Sequence, residues 1–298
     1  MAVLIDPPRW PAHGTRFSHL VSDASLDELF EFADARQVPL RAFDHDHYDV
    51  PERRYADLIA GGADPVDEKT LVRRLKDSGL RVRPHDRTPR AAQVLPSLAK
   101  SWDELLPGND RLGEDLLARW QEPGRHYHDV RHLAHALASL VELEPAASRT
   151  TQLALWFHDA VYTGRAGADE EASAELAVAE LSRVGLASAE VDEVERLVLL
   201  TITHTTDASD TAGALVLDAD LSVLGTAPGR YHVYARDVRL EYAAYPDPEF
   251  ASGRLQVLDR LLGMEELYRT PAAQQRWLNP ALTNLSSERR RWARVLDA

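Results

Sequence analysis

Residues 153–162 read Leu-Ala-Leu-Trp-Phe-His-Asp-Ala-Val-Tyr, and this stretch decides what kind of fold must surround it. Eight of its ten residues are apolar, which predicts a buried helix, yet His158 and Asp159 interrupt the run. Ionisable side chains seldom lie in such a run unless they are paired with each other or bind a metal ion. The segment therefore predicts either a buried hydrogen-bonded His-Asp pair or two metal ligands.

Two other segments favour the metal-ligand interpretation. His128, His132 and His135 are spaced i, i+4 and i+7, so they share one face of a predicted helix, which either faces solvent or lines a cavity. Asp218 and Asp220 interrupt another apolar run. Since three predicted helices each place imidazoles or carboxylates on interior surface, we expect one shared divalent cation. Nitrogen and oxygen donors suit Mn, Fe, Co, Ni, Mg or Zn.

The pattern outside these segments predicts an α+β protein with two regions. Residues 1–85 read as a small α/β module, and residues 84–97 contain three prolines, which predicts a linker over 86–100. From Trp102 onward the apolar spacing is helical, which predicts an all-α domain over 101–298. The module's predicted strands are 3–6 and 39–43, and its predicted helices begin near 26, 55 and 69. The helices predicted for the second region are 112–120, 128–143, 149–162, 169–185, 189–204, 212–224, 230–244, 248–263 and 272–296.

Composition and charge exclude several classes of protein. The 298 residues contain no cysteine, so a disulfide framework, a thiolate metal site and a cysteine nucleophile are excluded. No stretch approaches 18 consecutive apolar residues, which predicts no membrane span, and the N-terminus does not read as a secretion signal. We therefore expect a cytoplasmic location.

The acidic charge lies in the second region. Residues 101–298 carry 32 acidic and 19 basic side chains, against 16 and 15 in residues 1–100. A surface of this sign disfavours binding of a nucleic-acid polymer but permits a small phosphate ester whose charge is offset by a metal ion. A homo-oligomer is compatible with the sequence.

The order His, His-Asp, Asp on helices resembles the HD superfamily of metal-dependent phosphohydrolases. The resemblance covers about residues 100–298, and residues 1–85 are similar to a small bacterial domain of unknown function. The motifs of the second region that carry it are GRHYHDVRH at 124–132, WFHDAVY at 156–162, EEASA at 170–174, DADLSVLG at 218–225 and VRLEY at 238–242.

The resemblance implies roles for five of these residues. It implies that the metal ligands are His132, His158, Asp159 and Asp220, and that Asp159 also orients the attacking water. It implies that His128 is the general acid, although Asp129 stands where the similar family segment has asparagine. Candidates for a supporting or substrate-binding role are His204, Glu170, Asp218, Arg125, Arg131 and Arg239.

A second polar run lies in the N-terminal module. Residues 44–49 read Asp-His-Asp-His-Tyr-Asp, and on a strand every second side chain would share a face. With His19 or Asp23 this run predicts either another metal or phosphate site or an exposed polar loop.

Three functions fit these patterns. The first is a metal-dependent phosphoric ester hydrolase that uses an activated water on a small phosphorylated, nucleotide-like substrate. The second is a non-catalytic module that binds a nucleotide or a metal ion and transmits a signal. The third is a di-iron oxygenase, which would need further histidines between Asp159 and Asp220, where only His204 occurs.

Overall fold

The computed structural model describes residues 2–297, with the backbone alone at residue 85. The chain forms two compact units, and each unit contains two separate segments of the sequence. Unit 1 contains the chain up to Thr88 together with Ala227–Arg236, and unit 2 contains Pro89–Thr226 and the chain from Asp237 onward. Residues 1 and 298, the outer ends of the two predicted regions, lie outside the described residues.

Unit 1 is built on a mixed β-sheet. The strand order is β4-β5-β3-β1-β6, with β2 also paired to β3. The β1–β6 pair is parallel and the other pairs are antiparallel. The strands are β1 (Val3–Ile5), β2 (Trp10–Ala12), β3 (Thr15–Ser22), β4 (Phe43–Asp44), β5 (His47–Pro51) and β6 (Asp64–Pro65). The helices before residue 89 are α1 (Leu26–Ala35), α2 (Tyr55–Ala60) and α3 (Glu68–Asp77).

The sheet of unit 1 has apolar packing on both faces. On one face Ile5 and Leu20 join a core with the α1 residues Leu29 and Phe30. On the other face Leu4 and Val21 pack with Leu71 and Leu75 of α3. Successive strand residues alternate between faces, so β1 and β3 contribute side chains to both cores.

Unit 2 is helical. Its largest buried cluster draws on α4 to α10, and Trp102, Trp120 and Trp156 are fully or almost fully buried within it. The helices from residue 89 onward are α4 (Ala91–Leu105), α5 (Asp110–Arg119), α6 (Val130–Leu143), α7 (Arg149–Phe157), α8 (Ala168–Arg183), α9 (Ser188–Leu199), α10 (Thr211–Asp220), α11 (Pro228–Glu241), α12 (Asp247–Leu262) and α13 (Pro271–Asp297).

The predicted fold class is confirmed: a small sheet-containing unit precedes a helical region. Three local predictions are wrong. The predicted linker over 86–100 ends early, because Val94 and Leu98 give α4 an apolar face that packs into the unit 2 core. The strand predicted over 39–43 is a short 3-10 turn over Leu40–Ala42 that leads into β4.

The third correction concerns the histidines. His128 precedes α6 and is not part of the helix that carries His132, because Asp129 caps that helix by accepting a hydrogen bond from the Arg131 backbone amide at 2.7 Å. The two imidazole rings nevertheless lie 5.9 Å apart.

No helix within residues 2–297 combines the length and the apolar character that crossing a bilayer requires.

Candidate functional site

The predicted ligands of unit 2 lie at the ends of three helices. His132 is in the first turn of α6. His158 and Asp159 directly follow α7, which Phe157 ends, and Asp220 is the last residue of α10. The His-Asp pair thus lies where the buried helix stops, so a short loop can present both side chains to one point.

The donor atoms of these residues converge. The Nε2 atom of His132 is 3.0 Å from Nε2 of His158, 3.1 Å from Oδ1 of Asp220 and 3.7 Å from Oδ2 of Asp159. The Nε2 atom of His158 is 3.2 Å from Oδ2 of Asp159 and 3.5 Å from Oδ1 of Asp220. Ligands about 2.1 Å from one ion lie roughly 3.0–3.4 Å apart in octahedral or tetrahedral geometry. The spacing therefore fits one shared ion, and we call His132, His158, Asp159 and Asp220 the helical cluster.

The imidazole rings are held from behind. Nδ1 of His158 donates to the Leu155 carbonyl at 2.8 Å, so the neutral ring presents a lone pair at Nε2. The Tyr127 hydroxyl lies 2.9 Å from Nδ1 of His132, within hydrogen-bond distance. Such outer partners fix the tautomer of metal-binding histidines. The facing Nε2 atoms, 3.0 Å apart, can share one proton in a hydrogen bond or bind one metal ion between them.

The electrostatics also favour a cation at this point. Burial alone would lower the pKa of His158, but the charges of Asp159 and Asp220 raise it well above its usual range. Burial alone would raise the pKa of each carboxylate, but the histidine charge lowers both. Two ionised carboxylates facing two neutral imidazoles carry a charge of −2 in a largely buried site, and a divalent ion offsets that charge.

Glu241, at the end of α11, organises one side of this site. Its Oε1 atom accepts hydrogen bonds from three consecutive backbone amides, those of His126, Tyr127 and His128, each at 2.8 Å. Its Oε2 atom lies 2.7 Å from Nδ1 of His128 and accepts from the Tyr162 hydroxyl at 3.0 Å. Glu241 therefore fixes the turn that carries His128.

The charges of this pair depend on each other. Burial alone would raise the pKa of Glu241, but His128 and backbone hydrogen bonds lower it to about 2. Burial alone would lower the pKa of His128, but the Glu241 charge and hydrogen bond raise it. The motif VRLEY at 238–242 contains Glu241 but does not reveal this role, because its partner lies more than 100 residues away in the chain.

His204 joins the helical cluster through Asp220. Its Nε2 atom is 3.0 Å from Oδ2 of Asp220, the oxygen that faces away from His132. Its backbone has a φ of 54°, in the left-handed region that non-glycine residues seldom adopt, and Arg269 donates to its carbonyl at 2.5 Å. Strained backbone often occurs at functional sites, so the predicted supporting role of His204 fits its position.

Asp218 and Glu170 are engaged elsewhere. Asp218 is fully buried and accepts hydrogen bonds from the backbone amides of Arg269 and Thr270, where it closes the turn before α13. Glu170 accepts from the Gly167 amide at 2.6 Å and caps the start of α8. Both side chains therefore have a structural task, and the supporting or substrate-binding role for which they are candidates stays a prediction.

The three candidate arginines also have protein partners. Arg125 is buried and donates to the carbonyls of His128, Asp159 and Ala160, so it holds the two loops of the helical cluster together. Arg131 pairs with Asp129 and Asp237, and Arg239 with Asp247. These partners are protein groups, and a supporting or substrate-binding role for the three arginines stays a prediction.

A second group of donors lies in unit 1. His19, His47 and Asp49 each place a ligand-type atom within 4.8 Å of the others, so two His/Asp groups in the described chain could hold a metal ion. The other predicted participant, Asp23, pairs with Arg74 at 2.5 Å. Only part of the polar run 44–49 therefore contributes to this group.

Comparison with known proteins finds a family match for the first part of the chain. Residues 3–78, about a quarter of the chain, match the family described as "Protein of unknown function (DUF4031)". No curated protein and no solved structure matches the chain. The resemblance of the N-terminal module to a domain of unknown function is confirmed, and the resemblance of the helical region to the HD superfamily stays a prediction.

Proposed function

We propose that the helical region is a metal-dependent phosphohydrolase that cleaves a phosphate ester of a small, nucleotide-like substrate. The observation that carries the proposal is the convergence of the helical cluster, in which His132 Nε2 lies within 3.1 Å of donor atoms from two other segments. The order and spacing of these residues resemble the HD superfamily, which supplies the reaction class.

The donor set fits a first-row divalent ion held by the helical cluster. Two imidazole nitrogens favour Mn, Fe, Co, Ni or Zn over an ion that requires oxygen donors alone. When bound, such an ion supplies hydroxide near neutral pH by lowering the pKa of water, and it offsets charge on the phosphoryl oxygens.

His128 is placed to act as the proton donor. Its Nδ1 atom is engaged by Glu241, so Nε2 is the nitrogen available to substrate, and its ring stacks on Tyr162 with centroids 4.3 Å apart. Hydrolysis adds water across the P–O bond, and the leaving oxygen takes a proton as that bond breaks. The raised pKa of His128 favours the protonated ring that this task requires.

The surrounding charge restricts the substrate. The three arginines near the site contact protein groups, and residues 101–298 carry an excess of acidic side chains. A polyanion would be repelled by this surface, whereas a compact monoester or diester needs little more than the ion and His128 to offset its charge.

Metal analysis combined with a phosphate-release screen tests the proposal. The full chain is loaded separately with Mn, Co, Ni, Mg and Zn and assayed against nitrophenyl phosphates, nucleoside monophosphates and cyclic nucleotides. We expect Asp159→Asn to lose bound metal and at least about 99% of the turnover, because it removes an anionic donor. The matched control is Asp115→Asn, an exposed carboxylate on α5, which should behave as wild type.

Two outcomes contradict the proposal. Unchanged turnover in Asp159→Asn would show that the helical cluster takes no part in the reaction. A wild-type protein that retains metal but leaves every ester intact favours the non-catalytic binding module.

A further inference from the structure

The register of the sheet in unit 1 brings three donor side chains to one face. His19 of β3 is directly opposite Asp49 of β5, and His47 lies two residues before Asp49 on the same strand. Directly opposed residues of antiparallel strands point to the same side, as do residues two apart on one strand. The strand pairing therefore places His19, His47 and Asp49, which we call the sheet cluster, side by side.

The sheet cluster lies on the face that α3 covers only in part. Leu4 and Val21, on that face, pack against Leu71 of α3 and are fully buried. Further along the same face the side chain of His19 is 26% exposed and that of Asp49 is 48% exposed. The cluster is therefore open to solvent on one side.

A buried carboxylate holds each imidazole of the sheet cluster. Nδ1 of His19 donates to Oδ2 of Asp6 at 2.9 Å, and Nδ1 of His47 donates to Oδ1 of Asp46 at 2.8 Å. Asp6 is itself fixed by the His19 backbone amide, and Asp46 by the backbone amide of Val82. A carboxylate that holds Nδ1–H leaves Nε2 as the coordinating nitrogen, which is the usual outer arrangement around a metal-binding histidine.

The remaining donor atoms face one another at ion-pair distances. Nε2 of His47 is 3.6 Å and Nε2 of His19 is 3.9 Å from Oδ1 of Asp49, both beyond hydrogen-bond distance. The two imidazole rings lie 5.0 Å apart, nearly perpendicular to each other. Tetrahedral ligands about 2.0–2.2 Å from an ion lie roughly 3.3–3.6 Å apart. The two distances to Asp49 are close to this range, and all three donor atoms lie within 4.8 Å of one another.

We propose that the sheet cluster is a site for a divalent first-row transition metal ion, best suited to Zn²⁺, with His19, His47 and Asp49 as ligands. Two imidazoles favour such an ion over Ca²⁺ or Mg²⁺, which prefer oxygen donors. Three protein ligands on an open face leave a coordination position for water or another small ligand. This site is independent of the function proposed for the helical region.

Trp10 supplies a local readout for this site. Its ring lies 5.5 Å from that of His19, whereas every other tryptophan of the chain lies in unit 2. Titrating the full chain with Co²⁺ should quench Trp10, and adding Zn²⁺ should restore the fluorescence by displacing Co²⁺. The difference between wild type and Trp10→Phe isolates this signal from any ion bound in unit 2.

Two variants and a matched control decide the outcome. We expect His19→Gln and Asp49→Asn each to weaken Co²⁺ and Zn²⁺ binding at least about tenfold, because each removes a ligand. Asp64→Asn changes an equally exposed carboxylate of the same sheet and should leave the affinity unchanged. Because Asp49 is half exposed, Asp49→Asn should keep the far-ultraviolet circular dichroism of the wild type. This variant therefore tests the proposal even if His19→Gln misfolds.

The proposal is overturned if millimolar Co²⁺ does not quench Trp10 in a saturable way. It is also overturned if His19→Gln and Asp49→Asn keep wild-type affinity. The two proposals can fail separately. If a helical-cluster variant loses phosphohydrolase activity but keeps the Trp10 signal, the metal site of the sheet cluster is still supported.

Discussion

The two clusters contain similar donors in different settings. In the helical cluster a backbone carbonyl and a tyrosine hydroxyl hold the Nδ1 atoms, and both carboxylates face the donor point. In the sheet cluster two carboxylates hold the Nδ1 atoms, and one carboxylate faces the donor point. Acidic side chains thus act as ligands in the first setting and mainly as supports for ligands in the second.

This difference has an energetic consequence. The imidazoles of the helical cluster are almost fully buried, so the charge of its carboxylates is poorly screened and is offset by a proton or a metal ion. The sheet cluster is partly exposed, where solvent screens charge. We therefore expect the helical cluster to retain its ion through purification and the sheet cluster to exchange its ion readily.

The largest effect should follow from removing a charge at the helical cluster. Asp220→Asn preserves shape but removes the carboxylate shared by His132 and His204. We expect metal affinity to fall more than about 100-fold, with a parallel loss of turnover. Mass spectrometry of the bound metal, with the Trp10 titration as internal control, checks this. Equal loss at both clusters would show general misfolding, and full retention of metal would remove Asp220 from the ligand set.

The next effect concerns the support of the proton donor. In Glu241→Gln the glutamine keeps an oxygen for the backbone amides but loses the charge that raises the pKa of His128. Burial, which lowers that pKa, then dominates, so the alkaline limb of the pH–rate profile should move to lower pH. We expect turnover to fall about 10- to 100-fold with metal content unchanged, and more at pH 8 than at pH 6. The same loss at every pH would indicate a purely structural role for Glu241.

Asp46 gives the corresponding support in unit 1 by holding Nδ1 of His47. Its replacement should lower the metal affinity of the sheet cluster and leave that of the helical cluster unchanged. Asp46→Asn weakens the acceptor that holds Nδ1 of His47, and we expect Zn²⁺ affinity at the sheet cluster to fall about tenfold. Asp44→Asn is the matched control, because Asp44 pairs with His45 outside the cluster. Equal affinities in the two variants, measured by Zn²⁺ displacement of Co²⁺ at Trp10, would show that Asp46 does not support a ligand.

Sequence patterns predicted those parts of the fold and site that depend on nearby residues. The apolar run before His158 predicted the helix, but the predicted bounds were 149–162, whereas the helix ends at Phe157 and His158 and Asp159 lie just beyond it. Asp218 and Asp220 are two positions apart on one helix, and they contact different partners, the turn before α13 and the helical cluster. Short-range periodicity is sufficient for such inferences.

Pairings between distant segments could not be predicted in this way. The register that sets His19 opposite Asp49 joins strands separated by three other elements, and no local pattern encodes it. Glu241 contacts the turn at His128 from a different helix for the same reason. The misplacement of His128 on α6 had a local cause, since Asp129 is a good N-cap and could have been recognised as one.

The smallest expected effect tests whether the helical cluster depends on the helix that carries Asp220. Asp210 caps α10 by accepting from the Gly213 amide at 2.9 Å, and Arg196 donates to it at 2.7 Å. Asp210→Ala should lower the free energy of unfolding by about 1 kcal/mol, measured by urea denaturation, while Asp207→Ala on the exposed loop should have little effect. Burial alone would raise the pKa of Asp210, but hydrogen bonds, led by that from Arg196, lower it to about 2, below the usual 3.8.

Because the folded-state pKa is depressed, the contribution of Asp210 is fully present above about pH 4 and is lost as the pH falls through 2. The difference in stability between wild type and Asp210→Ala should therefore shrink as the pH is lowered from 5 toward 2. A difference that stays constant over this range would mean that the cap acts without its charge. Metal affinity at the sheet cluster should not change in this variant, whereas a small loss at the helical cluster would show that the end of α10 must be firmly folded to present Asp220.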